Sequence, residues 1–274
     1  MAVIRQFYGP GGVPLEVEAR PGDTVMAWHS QRTRLRAWTA DLPDDQWDGP
    51  TRCEGWETGQ LVRHLSSAGQ FLAYTLSEAS TGTATTLLQG MDTRSTVAAA
   101  AELLGDRTPT GARAFLAEVD DGVDAAVGRL GPGGLGAVAE GPPGHMAAHL
   151  VLSHFFFDSW VHEYDLLLPR GQRPRADPVE AEVTVRYLAG LAPVLTGSPV
   201  ALDVRLVDPE LRVGVDHRGD TVVVTVGSAP GRGAVVEGAV LDVVDRMCGR
   251  SGGPVDGDPE GLAVLDALAA VFAS

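Results

Sequence analysis

The stretch SHFFFDSWVHEYD, residues 153–165, decides the fold because it combines an apolar run with two histidines and two aspartates. It lies within residues 145–168, whose apolar spacing and closing Pro169 predict one long helix. Ionisable groups in an apolar helix are costly unless they are paired or bind a metal. Asp158 and His162 are four residues apart and would share one face of this helix. That face is the first candidate for a functional site.

The spacing of these residues limits how a metal ion could bind there. His154 lies on the same stripe, but its helical rise to His162 is about 12 Å, whereas zinc–ligand bonds are only ~2.0–2.2 Å. Asp158 and His162 can share an ion only if another helix supplies a third ligand. His64, in the middle of a second apolar segment, is the strongest candidate. The alternatives are an ordinary ion pair between Asp158 and His162 and a core or surface position for His64.

A site with two histidines and one carboxylate would leave coordination positions open, as catalytic metal sites do. In such a site, Asp165 or Glu163 would orient a ligand imidazole. The alternative for both residues is a solvated carboxylate or one paired with arginine.

The remaining sequence predicts an α+β protein that begins with a helical bundle. Three more amphipathic helices are predicted at residues 24–42, 58–77 and 110–130. Residues 131–144 are rich in glycine and proline and predict a loop. The C-terminal part predicts a small α+β domain, with helices at 179–195, 238–248 and 259–272 and strands at 201–207, 211–216, 221–226 and 234–237. We therefore divide the chain into an N-terminal extension (1–23), a four-helix domain (24–172) and an α+β domain (173–274).

Composition excludes several classes of function. The net charge of −15 over 274 residues argues against binding to nucleic acid or anionic lipid. The start of the chain lacks the pattern of a secretory signal, and no apolar stretch reaches the ~18 residues that span a bilayer. Two distant cysteines do not make a disulfide framework. We expect a cytoplasmic monomer or homodimer.

Two motifs resemble the mycothiol-dependent maleylpyruvate isomerase family, which has a DinB-like four-helix bundle. They are PTRCEGW at residues 50–56, followed by LVRHL at 61–65, and DSWVHEYDL at 158–166. The C-terminal part is similar to the sterol-carrier-like domain of the same family. The resemblance implies a divalent metal, usually zinc, held by His64, Asp158 and His162. The chain departs from the family at Asp158, where the isomerase usually has glutamate, and at Glu54, where it has proline.

The resemblance also implies a function. We expect a metal-dependent isomerase or S-transferase that acts on a small electrophilic metabolite, with mycothiol as co-substrate. The chain has no lysine or asparagine and a single isoleucine, a composition that fits a high-GC actinobacterium able to make this thiol. Arg250 matches the family's Gly-Arg pair near the C-terminus and would hold a substrate carboxylate. The alternative for Arg250 is a surface position after a helix.

Two other functions stay open at this point. One is a metal-dependent hydrolase on the same bundle, with an activated water as nucleophile. The other is a non-catalytic protein whose C-terminal domain binds an apolar ligand, with the three consecutive phenylalanines at 155–157 lining the pocket. The phenylalanines are otherwise expected in the core, and Cys53 is expected to be structural.

Overall fold

The computed structural model describes residues 2–7, 15–18, 20–90, 108–227 and 233–273, and it shows the expected α+β fold. Within these ranges the helices are α1 (Pro21–Asp41), α2 (Thr58–Ser80), α3 (Pro109–Gly134), α4 (Ala148–Leu167), α5 (Pro178–Thr196), α6 (Val240–Met247) and α7 (Pro259–Ala273). The strands are β1 (Ala2–Phe7), β2 (Leu15–Val17), β3 (Val138–Gly141), β4 (Gly144–Ala147), β5 (Leu202–Val207), β6 (Glu210–Arg218), β7 (Thr221–Val226), β8 (Ala234–Gly238) and β9 (Asp256–Gly257).

Helix α4 is the centre of the molecule. It contacts α1 and α2 of the bundle and α5 of the C-terminal part, and 17 of its 20 residues are buried. A helix that is apolar on every side is stable only when other elements surround it. Phe156 and Trp160 are fully buried, so the apolar part of the 153–165 stretch forms core on several sides at once.

Helix α2 lies between α3 and α4 and carries His64. It begins with a capping box in which the Glu57 backbone N–H donates to the Gln60 side chain. Gly69 allows close contact with α3, because a Cβ at this position would lie 2.5 Å from a methyl carbon of Val119. Overpacking of this kind typically costs about 1–3 kcal/mol. The glycine therefore fixes the position of α2 beside α3.

A nine-stranded mixed sheet runs through the predicted domains, in the order β3-β4-β1-β2-β7-β6-β5-β8-β9. In it, β1 pairs antiparallel with β4 and β2, and β2 pairs parallel with β7. The segment predicted as an N-terminal extension thus joins the bundle's hairpin to the C-terminal strands. The division into domains at 24 and 173 stays a prediction.

The prediction of a loop at residues 131–144 is wrong. Helix α3 continues to Gly134 through a kink at Gly131, where φ is 59°, and residues 138–147 form the β3–β4 hairpin. The glycines and prolines of 141–144 lie at its turn, and the edge of β4 pairs with β1. A partner strand about 140 residues away in the sequence cannot be predicted from the local pattern, because strand stability depends on cross-strand packing. In the described ranges, no helix has both the length and the hydropathy to cross a bilayer.

The connector between α1 and α2 docks on the C-terminal end of α4. Its backbone is closed by a bridge between Pro50 and Glu57. The Thr51 hydroxyl donates to the Trp56 carbonyl at 2.8 Å, and the Arg52 backbone N–H donates to the Asp165 carbonyl at 3.1 Å. The connector therefore holds its side chains against the last turns of α4, beside His162.

Candidate metal centre

Two neighbouring helices bring His64, Asp158 and His162 together. Helix α2 carries His64, and α4 carries the other two. Asp158 Oδ2 lies 3.4 Å from His64 Nε2, and Asp158 Oδ1 lies 3.5 Å from His162 Nε2. All three potential ligand atoms lie within 4.8 Å of one another. The site therefore depends on the packing of α2 against α4 and cannot be formed by either helix alone.

The spacing of these atoms suits a tetrahedral divalent ion. With bonds of ~2.1 Å, neighbouring ligand atoms in such a site are separated by ~3.4 Å. Charge-assisted N–H···O hydrogen bonds are shorter, ~2.7–2.9 Å. Two imidazoles and a carboxylate are also ligand types that zinc accepts, and a set of three leaves one position open. The side chain of Asp158 is 26% exposed, so solvent reaches the site.

Two carboxylates determine the protonation of His162. Burial opposes protonation of this imidazole, but the charge of Asp158 and the hydrogen bond to Asp165 outweigh burial and raise its pKa to about 10. Burial likewise opposes ionisation of Asp158, but the neighbouring His162 and His64 hold the pKa of that carboxyl well below its usual range. In the metal-free protein a proton therefore occupies His162, and metal binding would release it.

Asp165 holds the imidazole of His162 on the side away from Asp158. Its Oδ2 accepts a hydrogen bond from His162 Nδ1 at 2.9 Å, which leaves Nε2 facing Asp158. The carboxylate is fully buried. A carboxylate that binds the second ring nitrogen in this way fixes the ring orientation of a ligand histidine. Asp165 is thus placed where the sequence predicted an orienting carboxylate.

The thiol of Cys53 lies closer to the site than the sequence indicated. Its Sγ is 3.2 Å from Asp165 Oδ2, 3.6 Å from His162 Nδ1 and 3.5 Å from Arg250 Nη2. Its place in PTRCEGW, ahead of His64, was the only signal for this position. Cys53, His162 and Asp165 form a second compact set of potential ligand atoms. The guanidinium of Arg250 beside them disfavours a cation in that second set.

Arg250 is anchored next to the candidate centre. Its Nη2 donates to Asp165 Oδ2 at 3.1 Å and its Nη1 donates to the Cys248 carbonyl at 3.1 Å. The residue also lines an open cavity of about 400 Å³ that includes Asp242 and Gly249. A neighbouring cavity of about 480 Å³ is lined by Arg52 and Leu241, among others. Small molecules therefore have space beside Arg250 and beside Arg52.

Glu163 is not brought to the site. One residue along a helix rotates the side chain by about 100°, and Glu163 instead faces α1, where its Oε1 accepts from Arg34 Nε at 2.7 Å. His154 is also elsewhere, with its Nδ1 3.0 Å from the Tyr187 hydroxyl. The three phenylalanines at 155–157 are buried in the main core, as the core interpretation predicts.

The two cysteines should differ sharply in reactivity. Cys248 is 7% exposed, and burial raises the pKa of its thiol to about 12, whereas Cys53 is partly exposed. Thiolates are the reactive form. With a chromogenic disulfide reagent at pH 8, we expect one fast thiol per native chain and two after denaturation. The Cys53→Ser variant should lose the fast reaction, and an equally fast reaction in that variant would contradict the assignment.

Comparison with known proteins supports the family. A search of curated protein sequences found no significant match. Two solved structures are similar over 88% of this chain and 94% of theirs, each with a TM-score of 0.63 and 17% identity. They are crystal structures of the mycothiol-dependent maleylpyruvate isomerase and of a histidine-to-alanine mutant of it, and at this identity they show a shared fold. The family profile described as mycothiol maleylpyruvate isomerase N-terminal domain matches residues 28–167, which is half of the chain. The chain therefore belongs to the mycothiol maleylpyruvate isomerase family.

Proposed function

We propose that the protein is a metal-dependent enzyme that uses mycothiol, or a similar low-molecular-weight thiol. The enzyme would either isomerise a small electrophilic metabolite or attach the thiol to it through the sulfur atom. The observation that carries this proposal is the convergence of His64, Asp158 and His162 at the donor spacing of a zinc site. A zinc ion bound there would lower the pKa of a thiol and keep it as a thiolate at neutral pH. Membership of the family supports the thiol.

The protein's own side chains would orient the reactants. Asp165 fixes the ring of His162, and two cavities open beside Arg250 and Arg52. Among the described residues, the partners of Arg250 leave an N–H on Nη1 for a substrate carboxylate. Giving up the long contact with the Cys53 sulfur would supply a second N–H, as a bidentate grip requires. A guanidinium already held in place loses little freedom when it binds substrate.

We propose a cytoplasmic location as part of this function. A co-substrate thiol has to stay reduced, and both cysteines of the chain are free.

The proposal is tested with protein purified without chelators and without a metal-affinity tag. We expect one zinc per chain by elemental analysis, and turnover of maleylpyruvate or of a chloronitrobenzene only when both metal and mycothiol are present. Turnover of an ester or amide without thiol would favour a hydrolase instead. Stoichiometric zinc without turnover of any small electrophile would contradict the enzymatic proposal.

Arg250 provides a separate test of substrate binding. In Arg250→Lys, the charge is kept but two parallel hydrogen bonds to one carboxylate are lost. A hydrogen bond to a charged group contributes about 1.5–3 kcal/mol, so we expect KM for a carboxylate substrate to rise roughly 10- to 100-fold. Zinc per chain measured with zinc in excess should stay at one, whereas zinc affinity should fall because Arg250 also binds Asp165. Arg36→Lys, at an exposed ion pair on α1, serves as control. An unchanged KM in Arg250→Lys would remove Arg250 from the substrate site.

A further inference from the structure

A chain of ion pairs connects the C-terminal domain to His162. Asp165, at its centre, is fully buried and accepts hydrogen bonds from His162 Nδ1 at 2.9 Å, Arg52 Nε at 2.9 Å and Arg250 Nη2 at 3.1 Å. Both guanidiniums therefore act on the one carboxylate that orients His162. Neither arginine contacts the three candidate ligand atoms directly in the described structure.

Arg52 extends the chain to helix α6. Its Nη1 donates to Asp245 Oδ2 at 2.7 Å and its Nη2 donates to Asp245 Oδ1 at 2.9 Å. Asp245 is 2% exposed, so water cannot replace this contact freely. The backbone of Arg52 is also fixed, because its N–H donates to the Asp165 carbonyl. The guanidinium is thus held at both ends, by Asp165 of α4 and by Asp245 of α6.

The charges of this network are balanced by pairs from both parts of the protein. Arg52 pairs with both Asp165 and Asp245, Arg250 pairs with Asp165, and each carboxylate is buried. Without the charge of Asp245, Arg52 would have Asp165 as its one acidic partner in the described structure, and its guanidinium would turn toward that carboxylate. Hydrogen bonds in a buried network depend on one another, so a shift of Asp165 changes the bond that it accepts from His162.

We propose that Asp245 and Arg52 are positioning residues, through which the C-terminal domain sets the orientation of His162 for metal binding. The inference deepens the proposed function and rests on its metal centre. It makes the C-terminal domain part of the metal site although none of its residues is a ligand. Direct partners of ligand residues typically change metal affinity about 10- to 100-fold when they are replaced, so residues that act through such a partner should have a smaller effect.

The first experiment measures the zinc dissociation constant of Asp245→Asn by competition with a chromophoric chelator. We expect zinc to bind roughly 5- to 10-fold more weakly than in the wild type. This is less than the effect of about 10- to 100-fold from replacing a direct partner of a ligand, because Asp245 acts through Arg52 and Asp165. Asp266→Asn is a matched control, because Asp266 also accepts two hydrogen bonds from one arginine, Arg246 of α6, but is 57% exposed. The control should change affinity less than about 2-fold, as exposed ion pairs contribute little. Equal affinities in wild type and Asp245→Asn would overturn the proposal.

A second readout does not require metal. In the metal-free protein, the proton on His162 Nδ1 should be protected from solvent exchange by Asp165, and nuclear magnetic resonance should show faster exchange in Asp245→Asn than in Asp266→Asn. This result separates the positioning role from the proposed enzyme, because it holds even if no zinc is found. If Asp245→Asn does not fold, Arg52→Lys keeps the buried charge but cannot make two parallel hydrogen bonds to Asp245 while donating to Asp165. Unchanged exchange in the folded variants would overturn the positioning role.

Discussion

Replacing His64 by alanine is expected to weaken zinc binding by well over about 100-fold, more than replacement of any partner of a ligand does. The two remaining candidate ligands, Asp158 and His162, lie on one helix, and they cannot enclose an ion without a donor from α2. Asp158→Ala and His162→Ala should have effects of the same size. The measurements are zinc per chain after gel filtration and the dissociation constant by chelator competition.

A histidine outside the centre provides the control for these variants. His29, on α1, is half exposed and pairs with Asp124 at 3.2 Å, so His29→Ala removes an imidazole without touching α2 or α4. Its zinc content should equal that of the wild type, and thiol-dependent turnover should persist in it but disappear in His64→Ala. Stoichiometric zinc in both His64→Ala and Asp158→Ala would place the metal elsewhere.

Replacing Phe156 by alanine is expected to lower the free energy of unfolding by about 3–5 kcal/mol. Phe156 is fully buried in the middle of α4, a helix that contacts α1, α2 and α5. Removal of its ring leaves a cavity that the neighbouring helices cannot close, since α4 is packed on several sides. Urea unfolding with linear extrapolation gives the change in free energy.

Tyr74→Ala serves as a control on α2, because this aromatic side chain is 48% exposed. Substitutions at such surface positions usually change the free energy of unfolding by less than about 0.5 kcal/mol. If Phe156→Ala destabilises the protein no more than Tyr74→Ala does, the phenylalanine run is not core. The result would then favour the alternative in which the three phenylalanines line a ligand pocket.

Local sequence pattern was sufficient for most of the helices and for the C-terminal strands. The helix predicted at 179–195 is Pro178–Thr196, and the alternating segments after residue 200 are β5 to β8. The same is true of the central helix, predicted at 145–168 and found at Ala148–Leu167. These elements have strong periodicity over several turns or strands, so neighbours in the sequence carry the information.

Part of the candidate centre could also be predicted from local sequence pattern. The four-residue spacing of Asp158 and His162 fixes their common face whatever surrounds the helix. His64 could be proposed as the third ligand only by resemblance and residue type, and the packing of α2 on α4 is what places its Nε2 3.4 Å from Asp158. The position of Glu163, by contrast, was open in the sequence, and Arg34 of α1 decides it.

The sequence by itself thus determined a buried central helix, the α+β fold class, and two side chains on one helical face. Only the tertiary structure decided that β1 and β2 join the two parts through one sheet, and that residues 138–147 pair as a hairpin. It also decided that Arg52 connects Asp165 to Asp245. The physical reason is that helical periodicity is a local property, whereas strand partners and buried ion pairs are chosen among residues far apart in the chain.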